Sequence, residues 1–356
     1  MAAHRTAGRV TPCFRKFSGL TLALAGLLGC ARPESQEPPS RAVAVTQGTN
    51  NAPALIAQAT QADRSPQSDS AAPGKPKASD AAKPACDGTP PSETADVTRF
   101  AVIGDYGETG PAERAVFKLV KSWDPEFIVT VGDNNYPLGE ASTIDANIGY
   151  YFHDYMCPYK GRFGKASARN RFFPALGNHD WMEPGAKPYV SYFLDLPGNG
   201  RYYDVRWGNV QLFVLDTDPH EPDGVDPKSV QAEWLKKAVA ASTAPWQITA
   251  GHHPPYSSGT HGNSTYMQWP FKAWGVDLSL FGHDHIYERL VVDGYTYVVN
   301  GLGARAIYPF ENVLAESKVR FNSTFGAELI EATPKKLTSR FYDVSGKLVD
   351  EFSLEH

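Results

Sequence analysis

Short apolar runs, each closed by a glycine and then by polar residues, set the pattern of this chain. Phe100-Ala101-Val102-Ile103 runs into Gly104-Asp105-Tyr106-Gly107, and Phe127-Ile128-Val129-Thr130-Val131 into Gly132-Asp133-Asn134-Asn135-Tyr136. Phe172 to Leu176 enters Gly177-Asn178-His179-Asp180, Trp246 to Ala250 enters Gly251-His252-His253-Pro254, and Val276 to Phe281 enters Gly282-His283-Asp284-His285. Apolar runs of this length, bounded by turn residues, predict buried strands. Between the first two, Ala115, Leu119 and Trp123 recur at helical spacing behind Pro111, which suits a first turn. Strand, helix and strand of this size predict a right-handed βαβ unit.

Further along, Tyr202 to Val205 and Val210 to Leu215 predict paired strands across Trp207-Gly208-Asn209. Ser229 predicts the cap of a helix running through Trp234, Leu235 and Val239, with Gln231 and Glu233 in its first turn. Residues 140–170 form an aromatic insertion with Tyr150, Tyr151, Phe152 and Tyr155, helical in part. After His285 come strand-like runs at Leu290–Val292, Tyr295–Val299, Ala327–Glu331, Leu337–Tyr342 and Leu348–Phe352. A βαβ unit first and strands last predict an α/β fold over residues 98–356. Two packed mixed β-sheets flanked by helices, in four αββα layers, fit that order.

The start of the chain has another character. Arg5, Arg9, Arg15 and Lys16 precede an apolar run from Leu20 to Leu28, and Gly29-Cys30 follow. That is the layout of a signal peptide over residues 1–29, and the run is short for a membrane span. Leu27-Leu28-Gly29-Cys30 resembles a bacterial lipobox, which implies a lipid on Cys30. Ala31 in the next position implies sorting to the outer membrane, so the expected partner there is the membrane, through the N-terminal lipid. Plain secretion or a periplasmic location is the alternative. Residues 30–97 are rich in Ala, Pro, Ser, Gln, Asp and Lys and poor in aromatics, and predict a disordered tether. Cys86 and Cys157, left in an oxidising compartment, can pair and pin the tether to the domain.

Charge excludes one class. The leader holds four of the 34 basic residues and no acidic one, which leaves 30 against 39, a net charge of −9. A balance this acidic lacks the footprint of a nucleic-acid binder.

The polar strand endings point to metal chemistry. Ligands gather at the carboxyl ends of strands in open α/β sheets. An aspartate has two oxygens and can bridge two cations, and two metals about 3.5–4 Å apart clamp a phosphoryl group. Taken singly, Asp105 and Asp133 read as turn formers, Asn178 as a left-handed turn residue, and His283 and His285 as loop histidines. Taken together and in order, they read as one site.

The five blocks resemble those of calcineurin-like metallophosphoesterases over about residues 99–305. Tyr136, three residues after Asp133, resembles the purple acid phosphatase (tartrate-resistant acid phosphatase-like) branch, and Tyr287-Glu288-Arg289 is similar to its plant members. The resemblance implies one metal held by Asp105, Asp133, Tyr136 and His285. It implies a second held by Asp133, Asn178, His252 and His283. Carboxylate and phenolate suit Fe(III), whereas imidazole and amide oxygen suit a divalent ion such as Fe, Zn or Mn. On an extended loop His283 and His285 can face different ions, and Asp284 then points elsewhere; a strand would point both histidines the same way.

The resemblance also implies that His179 hydrogen-bonds the phosphate or protonates the leaving alkoxide. Otherwise it props a ligand, with Asp180 orienting it or closing a turn. His253 and His261 are candidate substrate-binding residues, although His261, in Ser-Ser-Gly-Thr-His-Gly, is equally a solvated loop histidine. The expected activity is hydrolysis of small phosphate monoesters by a hydroxide on a dinuclear centre, since a cation ionises bound water near neutrality. A phosphodiesterase or nucleotide hydrolase with the same metals is the near alternative. A non-catalytic binding lipoprotein is the distant one.

Overall fold

The computed structural model describes Cys86 and residues 95–356. The leader, Cys30 and most of the tether lie outside the described residues. The strands in chain order are β1 (Thr98–Ile103), β2 (Phe127–Thr130), β3 (Phe172–Pro174), β4 (Tyr203–Trp207), β5 (Val210–Val214), β6 (Trp246–Ala250) and β7 (Leu278–Phe281). Then come β8 (Tyr287–Val292), β9 (Tyr295–Asn300), β10 (Ser317–Phe321), β11 (Gly326–Ala332), β12 (Lys336–Asp343) and β13 (Leu348–Glu355). The α-helices are α1 (Pro111–Ser122), α2 (Tyr150–Phe152), α3 (Lys187–Tyr192), α4 (Val230–Ala241) and α5 (Phe271–Trp274).

Two mixed sheets result, in the orders β13-β12-β11-β1-β2-β3 and β10-β8-β9-β7-β6-β5-β4. In the first, β1, β2 and β3 run parallel, with Ile103 opposite Thr130 and Thr130 opposite Pro174. In the second, β5, β6, β7 and β9 run parallel.

Strand alternation builds the layers. Successive side chains of a strand point to opposite faces. Phe100 and Val102 therefore join Val129 against Leu212, Val214, Ile248 and Leu280 of the other sheet, forming the core between the sheets. Ala101, Ile103 and Ile128 face outward, under Val116 and Val120 of α1, Phe152 of α2 and Tyr189 of α3. Phe213 and Leu215 face the opposite outer layer, under Leu235 and Val239 of α4 and Phe271 of α5. The expected four-layer arrangement is the observed one. Ser229 caps α4 as its sequence implies, its Oγ accepting the Ala232 N–H at 3.1 Å, a contact of about 1 kcal/mol.

Three elements escape the pattern. β10 alternates charged and apolar residues along an edge, and α3 and α5 are too short to show a helical period. β8 starts three residues before the apolar run suggests, because its charged residues are satisfied inside the protein. Glu288 accepts from Ser258 Oγ at 2.6 Å, and Arg289 pairs with Asp350 at 2.7 Å. Cys86 and Cys157 form a disulfide, joining the segment before β1 to the aromatic insertion.

Candidate metal centre

The loops after β1, β2, β3, β6 and β7 bring their polar residues together in two groups of donor atoms. In the first, the Tyr136 hydroxyl lies 2.7 Å from Asp133 Oδ2, 3.3 Å from Asp105 Oδ1 and 3.2 Å from His285 Nε2. In the second, Asn178 Oδ1 lies 3.0 Å from both His252 Nε2 and His283 Nδ1, and these two ring nitrogens are 3.3 Å apart. Asp133 belongs to both groups, for its Oδ1 lies 3.4 Å from His252 Nε2. The donor atoms of Asp105, Asp133 and His285 all fall within 4.8 Å of one another.

Local backbone produces this convergence. Asp105, Asp133 and His283 have φ values of 56°, 53° and 70°, a left-handed region that costs a non-glycine residue energy. Strain of this kind collects where side chains must be aimed. The turn at His283 sends its ring to Asn178 while His285 reaches Tyr136, so the two histidines serve different groups. The preceding glycines permit close approach: a Cβ on Gly132 would sit 2.4 Å from His252 Nδ1, and one on Gly282 2.5 Å from Asp105 Oδ2.

The hydrogen-bond chemistry fits a cation in each group. The His252 Nδ1–H donates to the Val131 carbonyl at 2.8 Å, so a neutral His252 offers only a lone pair at Nε2. That lone pair faces an amide oxygen, a carboxylate oxygen and a second imidazole. In the other group one phenolic proton is set among two carboxylates and an imidazole. Crowded acceptors of this kind require positive charge between them.

Burial opposes a charge on His252, but the Asp133 and Asp105 carboxylates outweigh it and raise the ring above its ordinary value, so a proton and a metal cation compete for Nε2. Burial would push the Asp133 carboxyl up, but the His252 and His179 rings and the hydrogen bonds from Tyr136 and the His179 N–H hold it below its ordinary value. Burial, followed by the neighbouring His252 and His253, drives His283 well below its ordinary value, which keeps its lone pair free. Burial and the carboxylates of Asp133 and Asp105 push the Tyr136 phenol well up, so the protein's own charges alone leave it protonated.

His179 is partly exposed beside this cluster. Its Nδ1–H donates to the Pro137 carbonyl at 2.5 Å, and its Nε2 is 4.0 Å from Asp133 Oδ2. Asp180 does not orient it. That buried carboxylate closes the turn, accepting the Gly177 N–H at 2.9 Å and the Asn134 side chain at 2.8 Å. Burial and then Asp133 raise Asp180 to about 7. His261 is exposed and stacks on the His283 ring at 4.3 Å. His253 is buried, with Nδ1 3.2 Å from Thr217 Oγ1 and its ring 4.4 Å from that of His283. Burial and His252 push it down to about 3.

Sequence reasoning passed over three residues here. Thr217 Oγ1 accepts the N–H groups of both His252 and His253, at 3.1 and 2.8 Å. Asp284, fully buried between the two loop histidines, accepts from Ser257 Oγ at 2.5 Å and from the His261 N–H at 2.8 Å. It thereby ties the His261 loop to the metal-site loop. Tyr308 stacks on His285 at 4.1 Å, nearly parallel. No local signal marks Thr217 or Tyr308; for Asp284 the signal was its place between two donor histidines.

Known proteins resemble this chain in sequence and in fold. Purple acid phosphatase 3 of Arabidopsis thaliana is 27% identical over 293 residues, covering 73% of this chain and 78% of its own length. Tartrate-resistant acid phosphatase type 5 of Mus musculus is 27% identical over 316 residues, covering 75% and 92%. The structure of a purple acid phosphatase from yellow lupin (Lupinus luteus) seeds superposes with a TM-score of 0.60 at 17% identity. That superposition covers 75% of this chain and 55% of the lupin chain, and it bears on the fold alone. Residues 98–287 match the calcineurin-like phosphoesterase family, and they carry every donor described above. The chain therefore belongs to the calcineurin-like phosphoesterase family and is a metal-dependent phosphoester hydrolase.

Proposed function

We propose that this protein is an acid phosphatase of the purple type, hydrolysing phosphate monoesters at a dinuclear centre of Fe(III) and a divalent Fe, Zn or Mn ion. The observation that carries the reading is Asp133, whose Oδ2 belongs to the phenol-containing group and whose Oδ1 belongs to the imidazole–amide group. Asp105, Asp133, Tyr136 and His285 would hold the trivalent ion; Asp133, Asn178, His252 and His283 would hold the other. When bound, the two cations supply charge for the phosphoryl oxygens and acidify water at neutral pH.

The chain's own residues do the rest. Asp133 keeps its negative charge in a buried place because it accepts hydrogen bonds from the Tyr136 hydroxyl at 2.7 Å and the His179 N–H at 2.9 Å. His179, its Nδ1–H committed to Pro137, has Nε2 available to carry a proton to the leaving alkoxide. The exposed His261, held beside His283 through Asp284, offers a ring N–H to a phosphoryl oxygen. The names of the relatives support monoesters as the substrate class.

The test is kcat/KM of the metal-loaded protein on phenyl phosphate and on bis-phenyl phosphate. A preference for the monoester by about 100-fold or more, equivalent to some 2.7 kcal/mol, supports the reading. Equal rates or a diester preference makes the protein a phosphodiesterase instead.

From the leader sequence we also propose export and anchoring by a lipid on Cys30. Cell fractionation tests it: Cys30→Ala should leave the membrane fraction, and a variant that stays there contradicts a lipid anchor.

A further inference from the structure

Arg305 follows β9 on the loop that leads to Tyr308. Its backbone N–H donates to the Asp105 carbonyl at 3.2 Å. Its guanidinium lies over the Tyr136 ring, 5.2 Å from the centroid. The same ring has His179 on it, with centroids 4.5 Å apart. One aromatic ring thus touches both the proposed proton donor and a permanent cation. Arg305 and His179 therefore both border the ring of a residue in the donor cluster.

The present partner of that cation is weakly bound. Arg305 Nη1 is paired with Glu108, from the loop after β1, and the two side chains are 37% and 41% exposed. Ion pairs this open to water add little to stability and exchange readily. A guanidinium presents a planar fork that matches phosphate and carboxylate, and it stays charged at every relevant pH. Its position therefore matters more for what approaches the site than for holding the fold.

We propose that Arg305 exchanges Glu108 for a second anionic group on the leaving side of the substrate. Phosphate esters whose leaving group carries another phosphate or a carboxylate are then the preferred class. Glu108 acts as the internal competitor that keeps Arg305 placed when such a group is absent. This inference rests on the monoesterase reading above and narrows it.

Three matched probes test it: ethyl phosphate, phosphoglycolate and ethylene glycol bisphosphate, which differ in the group at the far end. Arg305→Gln should lower kcat/KM on the bisphosphate by about tenfold or more, as loss of a charged hydrogen bond implies. Its rate on ethyl phosphate should stay within about twofold of wild type. The phosphoglycolate arm tells whether a carboxylate serves as well as a phosphate. Glu108→Gln should raise the preference for the bisphosphate, and added salt should lower it. Equal loss on all three probes, or no loss on any, overturns the proposal. Failure of the wild type to turn over ethyl phosphate would overturn the monoesterase reading alone. Calorimetric binding of the bisphosphate against ethyl phosphate, in wild type and Arg305→Gln, then decides Arg305 separately. Both substituted side chains lie at the surface, so folding is not at issue.

Discussion

Glu328 should favour the folded state more in acid than in alkali. It lies on β11, fully buried on the face that Ile330 contributes to the core between the sheets. Ser339 Oγ donates to its Oε1, and its Oε2 has no hydrogen-bond partner. Burial therefore raises its carboxyl from 4.5 to about 7. The unfolded chain releases this proton near 4.5, whereas the folded chain keeps it until about 7. Between those values the native state binds more protons, so stability falls as pH rises. The contribution is fully present below 4.5 and lost as pH passes the folded value. A shift of this size is worth about 3 kcal/mol.

Glu328→Gln keeps the shape and cannot ionise. Urea unfolding of both proteins, at about pH 5 and about pH 8 with metal content and the disulfide held constant, gives the comparison. The variant should gain on the wild type by about 2–3 kcal/mol between the two conditions. All other titrating groups are shared and cancel in the difference. Parallel pH dependence of the two proteins would refute the reasoning, and would mean that Glu328 is ionised in the fold.

Two predictions concern the centre. His179→Ala should retain its metals and lose about 10²–10⁴-fold in turnover, the usual worth of a general acid; loss of metal instead would make His179 structural. Tyr136→Phe should bleach the visible charge-transfer band of the oxidised, iron-loaded protein at nearly constant iron content. The phenyl ring keeps its packing against His179, and only the oxygen bonded to Asp133 goes. A surviving band would show that the phenol is not an iron ligand.

What was legible in the sequence had a local cause. β1, β2 and β6 are readable because burial on both faces demands an apolar run, and Asp105, Asp133 and His252 because each follows a glycine at a strand end. What was hidden depends on distant partners. Glu288 and Arg289 look like the close of a loop until Ser258 and Asp350 are seen to neutralise them within β8. The place of His253 is set by a distant residue: the His252 ring points to Asn178, whereas that of His253 points to Thr217. Asp284 holds the His261 loop through contacts more than twenty residues away in sequence. Arg305 meets Glu108 only because the loops after β9 and β1 are neighbours in space.

The central claim is that Asp133 joins two metal sites, and metal content measures it most directly. Elemental analysis of protein purified without chelator should find two metal ions per chain in the wild type. Asp133→Ala, which removes an oxygen from each donor group, should hold neither ion firmly, while its disulfide and fold persist. A wild type with a single ion, or an Asp133→Ala variant that keeps two, would contradict the account.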